Sequence, residues 1–190
     1  MQKIMFNDRY HHTNAVIEER KTRATQIMAG IDCPVNMVMG RVLPDKDGKI
    51  YAVANGENII VKLRYKVGEV VAVAQCYNDV VREFTDLAFV PGSTNKMFVR
   101  ADLMPHQIRI IGIRCERLRD ISDEECIKEG VYAGSQALEY PYYFIDTKQF
   151  LICDYKSPRE AFAALIDKVS GRGTWDRNPW VVVYEFELVK

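Results

Sequence analysis

SPREAFAALIDKVSG, residues 157–171, and WVVVYEFEL, residues 180–188, are the two runs that decide the fold. Ser157 offers a hydroxyl for an N-cap, Pro158 stands where a first helical residue needs no amide hydrogen, and Glu160 occupies the third position, so a helix starts here. Phe162, Leu165, Ile166 and Val169 recur at i, i+3, i+4 and i+7 and give that helix one apolar face; Gly171 supplies a left-handed stop. After a turn around Asp176-Arg177-Asn178-Pro179, Trp180–Leu188 reads as a terminal strand with Tyr184, Phe186 and Leu188 on one side and Glu185 and Glu187 on the other. A helix with a single apolar face must pack on a sheet, and this strand is part of one.

Upstream, Ser122-Asp123-Glu124-Glu125 has the capping-box form and predicts a helix of about two turns that Gly130 ends. Ile108–Leu118 is a long strand candidate, with Ile111, Ile113 and Cys115 alternating against Arg114 and Arg117, and Gly112 marks a bulge or a close backbone approach. Val70–Tyr77, carrying Val70, Val71, Val73 and Cys76, suits a strand buried on both faces. The turn signals Pro44-Asp45-Lys46-Asp47-Gly48 and Asn55-Gly56 join Met37–Leu43, Ile50–Ala54 and Asn58–Leu63 into a meander. Ile4–Phe6 reads as a first short strand, and Asn7 or Asp8 caps a helix to about Glu19 whose inward stripe is Tyr10, Ala15, Val16 and Ile17. The aromatics of Tyr132–Ile145 predict irregular structure or a hairpin covering the core, with a stacking surface for bases as the alternative. No repeat, low-complexity tract or linker divides residues 1–190, so a single domain is expected. The order of elements favours an α+β fold with a mixed or antiparallel sheet curled into a barrel, helices at its ends, over a doubly wound sheet.

Composition excludes several classes. The 190 residues are 48% hydrophobic and 27% charged, ordinary globular values. The longest apolar runs are strand-sized, so no membrane partner is expected. Residues 1–8 lack the apolar segment of a secretory signal, which predicts a cytoplasmic location. Cys33, Cys76, Cys115, Cys126 and Cys153 are odd in number, widely spaced and without a Cys-x-x-Cys pair, as expected of reduced thiols with no disulfide framework or structural zinc. Lys plus Arg and Asp plus Glu number 26 each, so any anion site has to be local. Lys62, Arg64 and Lys66, and the run Arg109, Arg114, Arg117 and Arg119, read most simply as solvated faces.

The segment Arg20-Lys21-Thr22-Arg23-Ala24-Thr25 packs three cations and two hydroxyls into six residues after the first helix. Two readings are open: a turn that holds an anion or the polar edge of a base, or cations drawn to a helix C-terminus. Glu129 ends the second helix, where a carboxylate opposes the helix dipole, and is either a solvated side chain or a carboxylate placed for a partner such as Lys21. A buried Lys–Glu pair would provide the proton-transfer groups that amide hydrolysis needs. His11, His12 and His106 form no recognisable ligand triad, so no metal is expected, and the absence of Gly-x-Gly-x-x-Gly or a phosphate loop predicts no nucleotide cofactor. Ser135, Ser157 and Ser170 lack a nucleophile-elbow context.

These pieces together resemble the ASCH family, within the superfamily of PUA-like barrels. Arg20-Lys21-Thr22 is similar to the family's Gly-Arg-Lys-Thr turn, and Tyr65-Lys66-Val67-Gly68-Glu69 to its Tyr-x-Val-Gly-Asp lead into a barrel strand. Asn95-Lys96-Met97-Phe98, Leu103-Met104-Pro105 and Ile121–Gly130 resemble segments of phage-associated and gut-bacterial members, as does Trp175-Asp176-Arg177-Asn178-Pro179-Trp180. The resemblance implies a small PUA-like barrel, closed or partly open, with a cleft at the turn after the first helix. It also implies RNA, a nucleoside or a modified nucleobase as partner, held by Arg20, Lys21, Thr22, Arg23 and Glu129. Some relatives are amidohydrolases of N4-acetylcytidine that use a Lys, a Thr three residues later and a Glu. Lys21 and Glu129 match two of these positions, but the third is Ala24, so catalysis would need Thr25 or Thr22 in its place. The family's Gly before Arg is Glu19 here. Binding is therefore the leading expectation and amide hydrolysis the alternative.

Overall fold

A computed structural model describes residues 1–28, 39–44, 50–54, 57–61, 63–80, 90–134, 143–145 and 152–189. In chain order the strands are β1 (Lys3–Ile4), β2 (Arg23–Ile27), β3 (Met39–Pro44), β4 (Ile50–Ala54), β5 (Glu57–Val61), β6 (Val70–Val73), β7 (Gln107–Arg117), β8 (Tyr132–Ala133), β9 (Tyr143–Ile145), β10 (Ile152–Tyr155) and β11 (Trp180–Leu188). The α-helices are α1 (His12–Ile17), α2 (Tyr77–Val80), α3 (Asp123–Lys128), α4 (Pro158–Ser170) and α5 (Thr174–Arg177). The fold is α+β. Its principal sheet is mixed and five-stranded, in the order β1-β6-β7-β11-β2, with β1 and β6 parallel and the other pairs antiparallel. β3, β4 and β5 form an antiparallel meander, and β8, β9 and β10 a third small sheet. The predicted turns at 45–48 and 55–56, together with Lys62, Ser135, Tyr140, Tyr142 and Cys33, lie outside the described residues.

β11 lies between two apolar cores. Val182, Tyr184 and Phe186 join Ile4, Phe6, Val71, Val73, Ile108 and Ile110 on one face. On the other, Val181 and Val183 meet Phe162, Leu165 and Ile166 of α4 with Leu118 and Ile145. Each such side chain removed from water contributes about 1.5–3 kcal/mol, so β11 is anchored from both faces. α4 begins as its sequence predicts, with the Ser157 hydroxyl accepting from the Glu160 amide at 3.1 Å. Val169 lies on the side of Leu165 and Ile166, as expected, but is 47% exposed where they are buried.

Two further departures fall in β7 and in the first helix. In β7 the pairing with β11 jumps from Gly112↔Glu185 to Ile110↔Phe186, leaving Ile111 as a bulge. The extra residue shifts the alternation, so Ile108 and Ile110 are buried on the face that Ile113 and Cys115 continue, and Ile111 is 52% exposed instead of inward. The expected first helix is broken: a 3-10 turn, Asp8–Tyr10, is capped by Asn7, and His11 at φ 51° separates it from α1. The break sends Tyr10 into the second core and Val16 into the first. β1 spans Lys3–Ile4 rather than Ile4–Phe6, and β6 stops at Val73, with Tyr77 opening α2. Among the described residues no helix is long and apolar enough to cross a membrane.

Candidate functional site

The backbone amides of Arg20 and Lys21 both donate to the Ala15 carbonyl, ending α1, and Glu19 turns the chain at φ 57°. The next residues run extended: Thr22 N–H donates to Lys128 O at 3.1 Å, and Thr22 O accepts from Phe186 N–H at 3.0 Å. Alternation along an extended chain puts positions 21, 23 and 25 on one side. All three side chains converge on Glu129, more than a hundred residues away. Glu129 closes α3, whose Ser122–Glu125 capping box is present, and Gly130 at φ 103° reverses the chain. A Cβ on Gly130 would stand 3.4 Å from His12 Cδ2 and 3.6 Å from Lys21 Cδ, so the turn fits between those two side chains.

Lys21 Nζ donates to Glu129 Oε2 at 2.8 Å and to the Glu129 carbonyl oxygen at 2.6 Å, and both residues are buried, at 3% and 4% exposure. The carboxylate that opposes the helix dipole is thus answered by an ammonium on the last carbonyl as well. Two of the three ammonium donors are used, which leaves one for a ligand. The Thr25 hydroxyl donates to Glu129 Oε1. Arg23 is 1% exposed and reaches Glu129 Oε1 through Nε at 3.3 Å; its Nη2 meets Glu116, and its Nη1 lies 2.5 Å from Glu125 Oε1 without hydrogen-bond geometry. Arg114 closes the cluster from the outside, pairing with Glu116 at 2.7 Å and with Glu125 and Glu185. Burial alone would raise the Glu125 carboxyl; the Ser122 amide, then Arg23 and Arg114, outweigh it and hold it below the usual carboxylate range. Charges this far from water are tolerable only because each has partners.

Lys21, Thr25 and Glu129 lie on the wall of a cavity of about 250 Å³. α4 supplies an apolar side through Leu165, Ile166 and Val169, and Ala24, Tyr65 and Tyr184 also line it. Ala24 contributes a methyl while its neighbour Thr25 carries the hydroxyl to Glu129, so the one-residue shift in sequence places the hydroxyl on the alternating face that Lys21 shares. His12 is also on the wall, and burial, then the ammoniums of Lys21 and Lys96, draw its imidazole down to about 2, which keeps it neutral. Cys126, beside the cluster, has its thiol pushed up to about 12 by burial and is no nucleophile. Arg20 is not brought to Glu129: it pairs with Glu18 at 2.6 Å and lies 4.1 Å over the Tyr132 ring. Thr22 engages the site's surroundings through its backbone. A second, more polar cavity of about 350 Å³ lies beside Asp8, His11, Asn14 and Asp79 and shares none of these groups. Sequence reasoning missed His12, weighed there only as a metal ligand, and the convergence of Arg23 on Glu116 and Glu125. The period of two from Lys21 to Thr25 was the available signal. Among the described residues no three His, Cys, Asp or Glu side chains are grouped to hold a metal ion.

Compared with protein-family models, curated proteins and solved structures, the chain matches none.

Proposed function

We propose that the chain is an ASCH-type protein whose mixed sheet forms the wall of a PUA-like barrel, and that its cavity takes a single nucleobase or nucleoside and hydrolyses an amide on it. One observation carries this reading: the Thr25 hydroxyl and the Lys21 ammonium sit on opposite oxygens of one buried carboxylate, at the wall of one cavity. A volume near 250 Å³ fits a compact ligand better than a length of RNA strand. In the reaction, Thr25 Oγ attacks the amide carbonyl carbon and Glu129 accepts the hydroxyl proton. The remaining Lys21 N–H stabilises the oxyanion. The C–N bond then breaks, the leaving amine takes the proton from Glu129, and water hydrolyses the Thr25 ester to give the free acid.

A second reading, ligand binding without chemistry, has its own support in the near-complete burial of the mutually neutralising Lys21–Glu129 pair. Incubation with N4-acetylcytidine separates the two. Hydrolysis predicts acetate release that Thr25→Val and Lys21→Ala each lower by roughly a thousandfold. Nucleoside binding without acetate release leaves the binding reading, and no perturbation of the amides of residues 19–26 by any nucleoside rejects both.

A further inference from the structure

We infer that the ligand carries a phosphate at the mouth of this cavity and that Arg64 selects it, an inference that rests on the nucleoside reading above. Of the charged side chains described on the cavity wall, Lys21 and Glu129 satisfy each other, whereas Arg64 has no such partner among the described residues. Its backbone is fixed at both ends, the N–H donating to the Tyr184 hydroxyl at 3.1 Å and the carbonyl accepting from Gln2 Nε2 at 3.3 Å. Its guanidinium carbon lies 5.5 Å from the centroid of the Tyr65 ring, close enough for cation–π attraction to bias its position. Among the described residues that guanidinium forms no ion pair, while Arg20, Arg23, Arg100, Arg109 and Arg114 each meet a carboxylate. Among the described residues the wall therefore keeps one uncompensated positive charge, on a fork of N–H donors whose geometry matches phosphate or carboxylate oxygens.

Depth decides which of these anions it is. Lys21 and Glu129 are buried, and Arg64 is exposed, so the reacting amide goes in first and the anion stays at the mouth. On an N-acylated nucleoside, the end away from the amide is the sugar. A phosphate on the ribose meets Arg64, and a carboxylate on the acyl group does not.

The test compares kcat/KM for N4-acetylcytidine, its 5′-monophosphate and N4-succinylcytidine in the wild type and in Arg64→Gln. The wild type is expected to prefer the monophosphate over the nucleoside by roughly five- to tenfold, mostly through KM, and less at high salt. In Arg64→Gln the ratio falls toward one. A wild-type ratio near one, a preference that survives the substitution, or a larger gain from the succinyl group overturns the inference. A binding arm keeps it separable from hydrolysis: the Arg64 Nε–H NMR signal is followed with cytidine, cytidine 5′-monophosphate and inorganic phosphate. Movement with the monophosphate but not cytidine upholds the anion site even where no acetate is released. A signal unmoved by either phosphate overturns it whatever the turnover.

Discussion

β2 and β11 are hydrogen-bonded neighbours from Arg23↔Glu185 to Ile27↔Val181, yet they bury opposite kinds of side chain. β11 places Val181, Val182, Val183 and Tyr184 in apolar cores, whereas β2 begins with a fully buried Arg23 and follows a buried Lys21. Apolar burial is non-directional and tolerates any well-filled neighbour. Ionic burial demands particular partners at particular atoms, and these come from β7 and α3: Glu116, Glu125 and Glu129. Adjacent strands thus differ in what a substitution exposes. On β11 it leaves a void, and at the start of β2 it leaves unanswered charge.

The largest expected effects test that contrast directly. Arg23→Ala, which takes a buried partner from Glu116, Glu125 and Glu129 together, should cost about 3–5 kcal/mol of unfolding free energy. Phe162→Ala, which empties part of the core against β11, should cost about as much, roughly 3–5 kcal/mol. Urea denaturation at two pH values separates the causes, because protonating the carboxylates relieves the first loss and leaves the second unchanged. An Arg23→Ala cost under about 1 kcal/mol would break the comparison.

A middle-sized effect comes from His12. Its folded pKa lies far below the ordinary histidine value, so the unfolded chain takes up this proton as pH falls through 6.5 while the folded chain does not until about 2. Its contribution is complete above pH 6.5 and declines below it, by up to about 1.4 kcal/mol per pH unit. Denaturant midpoints between pH 6.5 and 5 should fall in the wild type and flatten in His12→Gln; equal slopes would remove His12 from the buried set. The smallest effect is expected where the same sheet carries ions in water. Arg109 and Glu187 pair at 3.0 Å across β7 and β11 with their side chains about half exposed, and Arg109→Ala should change stability by no more than about 0.5 kcal/mol. A cost comparable to that of Arg23→Ala would show that burial is not what distinguishes the two clusters.

Much of the scaffold was legible because its signals are local. The Ser157 and Ser122 caps, the Phe162–Ile166 stripe and the outward Glu187 depend on neighbours within a turn or a strand. The Ile111 bulge was only half legible. Gly112 marked the place, but which side chain would be expelled depended on the register against Glu185 and Phe186. The break at His11 had no sequence signal, since it satisfies two cores that meet only in the folded chain.

By itself the sequence determined the α+β composition, the positions of α3, α4 and β11, and the list from which a site could be drawn: Arg20, Lys21, Thr22, Arg23, Thr25 and Glu129. The elements follow from capping chemistry and hydrophobic period, which act over a few residues, and the site candidates from clustered charge and the family resemblance. Only the tertiary structure decided that Thr25, not Thr22, meets the carboxylate, that Arg20 turns away to Glu18, and that Arg64 lines the cavity with no ion pair among the described residues. The physical reason is sequence distance: Lys21 and Glu129 lie 108 residues apart, and no local preference records which charge a distant one will meet.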